Sequence, residues 1–174
     1  TRCIDYGDRN TAVLFGDGSA AAVVSAGEPS ALRLMSCDCA SKPAAWQKAV
    51  IPRTGYFQQE GNAVQGFAIR KMTEAVRSFQ NGGPEGGRRP IFIGHQANLG
   101  ILETVCERAS IPVDRHWHNV TMFGNTGCSG APAVLSQHRR ELHPGDWVIM
   151  ALVGAGLTWA TLVWHVAGQG EDKE

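Results

Sequence analysis

The chain has 174 residues, 43% of them apolar and 18% charged, which fits a soluble globular domain and excludes a disordered, collagenous or coiled-coil chain. Sixteen Lys and Arg offset sixteen Asp and Glu, so no overall charge draws the protein to nucleic acid or to an anionic membrane. A chain of this size buries roughly two-thirds of its unfolded surface without staples, and its five cysteines, an odd set with no C-x-x-C pair, fit reduced thiols rather than disulfides or a thiolate zinc site.

Thr11 to Phe15 predicts a short buried strand, and Ala20 to Val24 a second one after Gly16-Asp17-Gly18. Ala31 to Cys37 alternates apolar and polar side chains, as a third strand does. Asp38 to Glu60 mixes Ser, Lys, Pro and Gly with isolated aromatics and predicts a long loop packed on the fold, a flap beside the substrate. From Asn62 to Phe79 the residues Ala63, Phe67, Ala68, Met72, Ala75, Val76 and Phe79 recur at three and four, the period of a helix.

Asn81 to Pro90 is a turn-rich connector, and Ile91 to Ile93 a short strand leading into Gly94-His95-Gln96-Ala97-Asn98. A helix follows on Leu99, Leu102, Val105 and Cys106 and leaves at Ile111-Pro112, which places His95 between a strand and a helix N-terminus. His118 to Met122 predicts another strand, Gly124 to Gly127 a tight turn, and Ala131 to Leu142 an amphipathic helix stopped by Pro144-Gly145. Trp147 to Val153 and Leu157 to Val166 predict an antiparallel hairpin joined at Gly154-Ala155-Gly156. These apolar runs are too short to span a bilayer and the N-terminus lacks a signal pattern, so the expected place is the cytoplasm. The whole is one α/β domain over residues 1–168, a mixed β-sheet with helices on both faces, with 169–174 a flexible tail.

Three loops follow three strands, carrying His95, Asn125 and the Gly154–Gly156 turn, and ligands of open α/β sheets gather at strand ends. A neutral imidazole and a carboxamide can each donate a hydrogen bond to one carbonyl oxygen and stabilise charge developing there. The helix N-terminus beyond His95 favours its uncharged form. On pattern alone, however, a His at such a turn is more often a structural hydrogen-bonder, and an Asn beside Gly124 a turn residue.

Other motifs are weaker. Gly16-Asp17-Gly18 lacks the third glycine and the acidic residue of a dinucleotide site. Gly127-Cys128-Ser129-Gly130 lacks the last glycine of a nucleophile elbow, which leaves Ser129 as a helix cap. His116-Trp117-His118 puts two imidazoles on one face of a strand with nothing beside them in sequence to complete a tetrahedral set, so no metal is expected. The arginine clusters read as solvated faces, with docking of an acidic carrier as the minority reading.

Taken in order and spacing, Gly94-His-Gln-Ala-Asn98, Gly124-Asn-Thr-Gly127, Gly154-Ala-Gly-Leu-Thr-Trp159 and Asp8-Arg9 through Phe15-Gly-Asp-Gly18 resemble the C-terminal half of a β-ketoacyl-acyl-carrier-protein synthase of the third type. The match runs from Arg2 to Val166. It implies a thiolase-like half, packed in the complete enzyme against an N-terminal half that bears a nucleophilic Cys. The family's reaction moves an acyl group from acyl-CoA to that Cys and condenses it with a malonyl thioester that loses carbon dioxide.

The resemblance makes His95 and Asn125 the catalytic donors to the malonyl carbonyl and Ala155 the backbone oxyanion donor, in a turn that is usually all glycine. It sets Arg2 against the adenine of coenzyme A. None of the five cysteines stands in the nucleophile context, and Cys128 reads as a buried small hydrophobe. Gly100 stands where a basic residue is common, so one contact to a carrier or phosphopantetheine is missing. Acyl-CoA is then a substrate rather than a resident cofactor. The partners implied are the N-terminal half, acyl carrier protein and a second complete unit in a homodimer. Transfer to an oxygen, nitrogen or non-malonyl carbon nucleophile, and a non-catalytic pairing subunit, are the alternatives.

Overall fold

The computed structural model describes residues 2–27, 30–82 and 90–168. In chain order its elements are α1 (Arg9–Ala12), β1 (Leu32–Ser41), the short pair β2 (Ala49–Val50) and β3 (Gln58–Gln59), α2 (Gly61–Gly82), β4 (Ile91–Gly94), α3 (Leu99–Ala109), α4 (Val120–Phe123), α5 (Gly130–His138), β5 (Trp147–Gly154) and β6 (Thr158–Val166). The predicted tail and most of the Asn81–Pro90 connector lie outside the described residues.

Four strands form one mixed sheet in the order β1-β6-β5-β4. The predicted hairpin is there, with Trp147 opposite His165 and Gly154 opposite Thr158. β4 runs parallel to β5, Ile91 beside Val148 and Gly94 beside Ala151, and β5 continues three residues further to Gly154. β4 and most of β5 are buried on both faces, which is why they read as unbroken apolar runs rather than as alternation.

One face of the sheet is covered by α2 and α3. Their apolar stripes, Ala68, Met72 and Val76 from one and Leu102, Val105 and Ala109 from the other, meet Phe92 and Ala151. α5 covers the opposite face, with Ala131 and Val134 against Ile91, Ile93, Val148 and Met150. Asn98 caps α3, its side chain accepting from Ile101 N at 3.4 Å, and this fixes where the loop after β4 turns into helix.

Four expectations are corrected. Thr11 to Phe15 is not a strand: the Asp8 carboxylate accepts from Asn10 N at 3.0 Å and the Thr11 hydroxyl at 2.8 Å, and this cap starts the one-turn α1 instead. Ala20 to Val24 is not a strand either, since among the described residues no strand pairs with it, and Val23 and Val24 stand 99% and 80% exposed. His118 to Met122 turns into α4, because the Asn119 and Val120 amides bond a side chain rather than a neighbouring strand. Finally, β1 continues through Asp38 to Ser41, paired with Thr161 to Thr158, so the loop starts only at Lys42 and carries the β2-β3 ribbon.

Candidate active site

A cleft of about 950 Å³ opens where β4 and β5 end, and His95, Asn125 and Ala155 all line it. None of the described residues along its wall is an Asp, Glu, Lys or Arg. Charge that develops on a bound carbonyl would therefore meet dipoles, in surroundings where a hydrogen bond is worth more than in water.

His95 is set by the sheet itself. Its N–H donates to the Ala151 carbonyl at 2.9 Å, extending the β4-β5 ladder by one residue, and its own carbonyl accepts from Ala97 N at 2.8 Å. The surroundings strip water from the ring and hold its pKa below the ordinary histidine value, so at neutral pH it is an uncharged donor and acceptor.

Asn125 is held on both sides. Its N–H donates to the Leu14 carbonyl at 2.8 Å and its carbonyl accepts from Gly16 N at 3.0 Å. Its Oδ1 accepts from Gly127 N at 2.9 Å, the short-range turn bond expected of an Asn here. That bond orients the carboxamide, whose Nδ2 is its donor end. Ala155 is exposed in the turn between β5 and β6, and its carbonyl accepts from the Thr158 hydroxyl at 3.1 Å.

Arg2 is exposed and is not among the residues lining the cleft. The neighbouring Cys3 carbonyl accepts from Phe57 N at 2.7 Å, and Phe57 packs edge-on against Phe15 at 4.9 Å, so the N-terminal segment is tied to the rim. Cys128 corrects the reading of a buried thiol: it is exposed and lines the cleft, because the short helical turn Gly127–Ser129 precedes α5 and keeps it at the mouth.

His116 and His118 have ring centroids 4.9 Å apart, and His116 stacks on Phe92. Burial, helped by His118, pushes the His116 pKa down to about 4. Among the described residues no group of three His, Cys, Asp or Glu could hold a metal ion. Sequence reasoning left Gln96, Phe15 and Phe57 without a role. The aromatic pair comes together only through the tertiary fold, and Gln96 is a polar residue of zero exposure that periodicity does not mark.

Two family models match, 3-oxoacyl-[acyl-carrier-protein] synthase III C terminal over residues 90–166 and 3-oxoacyl-[acyl-carrier-protein] synthase III over residues 1–43. The chain belongs to that family. It is 33% identical over 166 residues to β-ketoacyl-[acyl-carrier-protein] synthase III of Bacillus pumilus, covering 93% of this chain and 53% of that protein. The crystal structure of 3-oxoacyl-(acyl carrier protein) synthase III from Pseudomonas aeruginosa superposes with a TM-score of 0.79 at 28% identity, over 96% of this chain and 55% of the other. That of the Thermus thermophilus enzyme gives 0.80 at 28%, over 96% and 56%. The chain thus spans about half the length of the relatives it matches. Its fold is the α/β, thiolase-like half of this family, a mixed sheet with helices on both faces. Among the described residues no helix is long and apolar enough to cross a membrane.

Proposed function

We propose that this chain is the C-terminal catalytic half of a synthase III-type acyltransferase and works with an N-terminal half that supplies the nucleophilic Cys. The observation that carries the reading is the pairing of His95 and Asn125 in one cleft whose described walls hold no Asp, Glu, Lys or Arg. In this scheme the Cys thiolate of the partner half takes the acyl group from acyl-CoA and expels the CoA thiolate. A malonyl thioester then places its thioester carbonyl between His95 and Asn125. Cleavage of the carbon–carboxylate bond releases carbon dioxide, and the electron pair moves into an enolate whose oxygen receives the two hydrogen bonds.

The enolate carbon attacks the acyl-Cys carbonyl, and the oxyanion formed there is stabilised by the Ala155 N–H. Collapse expels the Cys thiolate and leaves a β-ketoacyl thioester. A neutral His95 suits this scheme, because a charged ring would hold the malonyl carboxylate back by ion pairing instead of letting it leave. Acyl-CoA is a substrate in this reading, acyl carrier protein brings the malonyl group, Arg2 meets the CoA adenine at the rim, and two complete units pair in the cytoplasm.

The test is reconstitution of this chain with the N-terminal half of the Bacillus pumilus relative, supplied with acetyl-CoA and a malonyl carrier thioester. The expected result is a β-ketoacyl product and carbon dioxide from the pair and none from either half alone. An assembled pair that forms the acyl-enzyme and never the condensed product would contradict it.

A further inference from the structure

Gln96 has no exposed surface and does not line the cleft, yet its carboxamide is bonded at both ends. Its Nε2 donates to the Gly94 carbonyl at 2.8 Å, on the residue before His95. Its Oε1 accepts from Asn119 N at 2.9 Å and from Val120 N at 3.2 Å, the entrance of α4. α4 is a single turn, closed by Gly124 N on the Val120 carbonyl at 2.9 Å, and Asn125 comes next. One side chain therefore ties the peptide beside His95 to the helix that ends beside Asn125.

The surrounding packing leaves it one place to be. A Cβ on Gly130, the first residue of α5, would stand 2.8 Å from Gln96 Cβ and 3.1 Å from Cγ, so the helix can lie over this side chain only with glycine there. Asn119 carries the chain of carboxamides on, its Nδ2 donating to Gln137 Oε1 of α5 at 3.0 Å. An apolar side chain of equal volume at position 96 would fill the space and leave two amide N–H groups and one carbonyl buried without partners.

We propose that Gln96 is a positioning residue that sets the spacing of His95 and Asn125, an inference that rests on reading those two as the donor pair. It touches no reacting atom and acts through the two loops it joins. Donors to a developing oxyanion are effective only within a narrow range of position, and a displacement of about 1 Å costs on the order of 100-fold in rate. An error in the Gln96 tether therefore appears in condensation and not in the earlier loading of the Cys.

The experiment measures the two half-reactions separately in the assembled enzyme: acyl loading by intact mass, and condensation by release of carbon dioxide from the malonyl thioester. Gln96→Leu should load at a rate within about twofold of the unaltered enzyme and condense about 100-fold more slowly. Gly130→Ala, which keeps the carboxamide and pushes it aside, should show the same split. If Gln96→Leu fails to fold, as read by circular dichroism, Gly130→Ala decides.

Condensation that stays within about twofold in both variants overturns the inference, and so does an equal loss of both half-reactions in folded protein. His95→Ala run alongside separates the two readings. If it alone loses condensation, the Gln96 inference fails while the donor pair stands. If it too condenses normally, the donor pair itself is wrong.

Discussion

Phe15 and Asn125 lie side by side as an isolated parallel bridge, with Asn125 N on the Leu14 carbonyl at 2.8 Å and Gly16 N on the Asn125 carbonyl at 3.0 Å. The N-terminal segment is thus part of the cleft wall and fixes one of its two candidate donors. The approach is close: a Cβ on Gly16 would sit 2.0 Å from the Phe123 carbonyl oxygen, a backbone atom that cannot swing away.

Gly16→Ala should therefore destabilise the chain by about 3 kcal/mol, read as a lower midpoint in urea. Gly66→Ala is the contrast, because a Cβ at that position in α2 meets nothing within 4 Å. It should stabilise the same chain by about 0.5 to 1 kcal/mol through helix propensity.

The folded chain keeps His116 neutral, with its pKa near 4 against an ordinary value of 6.5. Below the ordinary value the unfolded state binds a proton that the folded state refuses, so this histidine makes stability fall as pH drops from about 6.5 toward about 4, and adds no slope above that window. His116→Phe should flatten the loss, measured as urea midpoints at pH 7, 6 and 5. An identical slope in both proteins would show that His116 is not its source.

Val23 and Val24 project from a segment with no strand partner among the described residues. The double change Val23→Asp, Val24→Asp should shift the stability of the chain itself by no more than about 0.5 kcal/mol. We expect the N-terminal half to cover these two exposed apolar side chains, so assembly with it should weaken at least about tenfold in the double variant, as the loss of two buried apolar side chains implies. Sedimentation of the mixture would show it, and unchanged assembly would place the partner's surface elsewhere.

Much of the fold was legible where periodicity and burial act together. The α2 stripe from Phe67 to Val76, the α3 stripe from Leu99 to Cys106 and the two runs of the β5-β6 hairpin follow from spacing and turn chemistry alone. The failures have local causes. Thr11 to Phe15 is apolar enough for a strand, but Asp8 offers a capping carboxylate three residues before Thr11. Asp38 to Ser41 is too polar to read as a strand and becomes one because β6 supplies the pairing.

At the candidate site, His95 was legible as the loop residue after a strand and Asn125 as a turn residue, though the element before Asn125 is α4 rather than the expected strand, and the structure brings both to the same cleft with Ala155. What holds them was not legible. The Gln96 tether joins segments 23 and 24 residues apart in sequence, and the Leu14–Gly16 clamp reaches Asn125 from the other end of the chain. Gln96 and Gly16 stand in matched motifs, but neither spacing nor periodicity says which distant backbone groups they bond. Arg2 shows the converse: a matched position that the described chain leaves outside the cleft wall.

The central claim is that His95 and Asn125 together stabilise the enolate of a malonyl thioester. The most direct measurement is the rate of carbon dioxide release from that thioester by the assembled, acyl-loaded enzyme, for His95→Ala and Asn125→Ala beside the unaltered protein. Each substitution should lower the rate about 100- to 1,000-fold, the loss typical of removing one oxyanion donor, while acyl loading of the Cys proceeds as before. Carbon dioxide release at the unaltered rate in either variant would contradict the account.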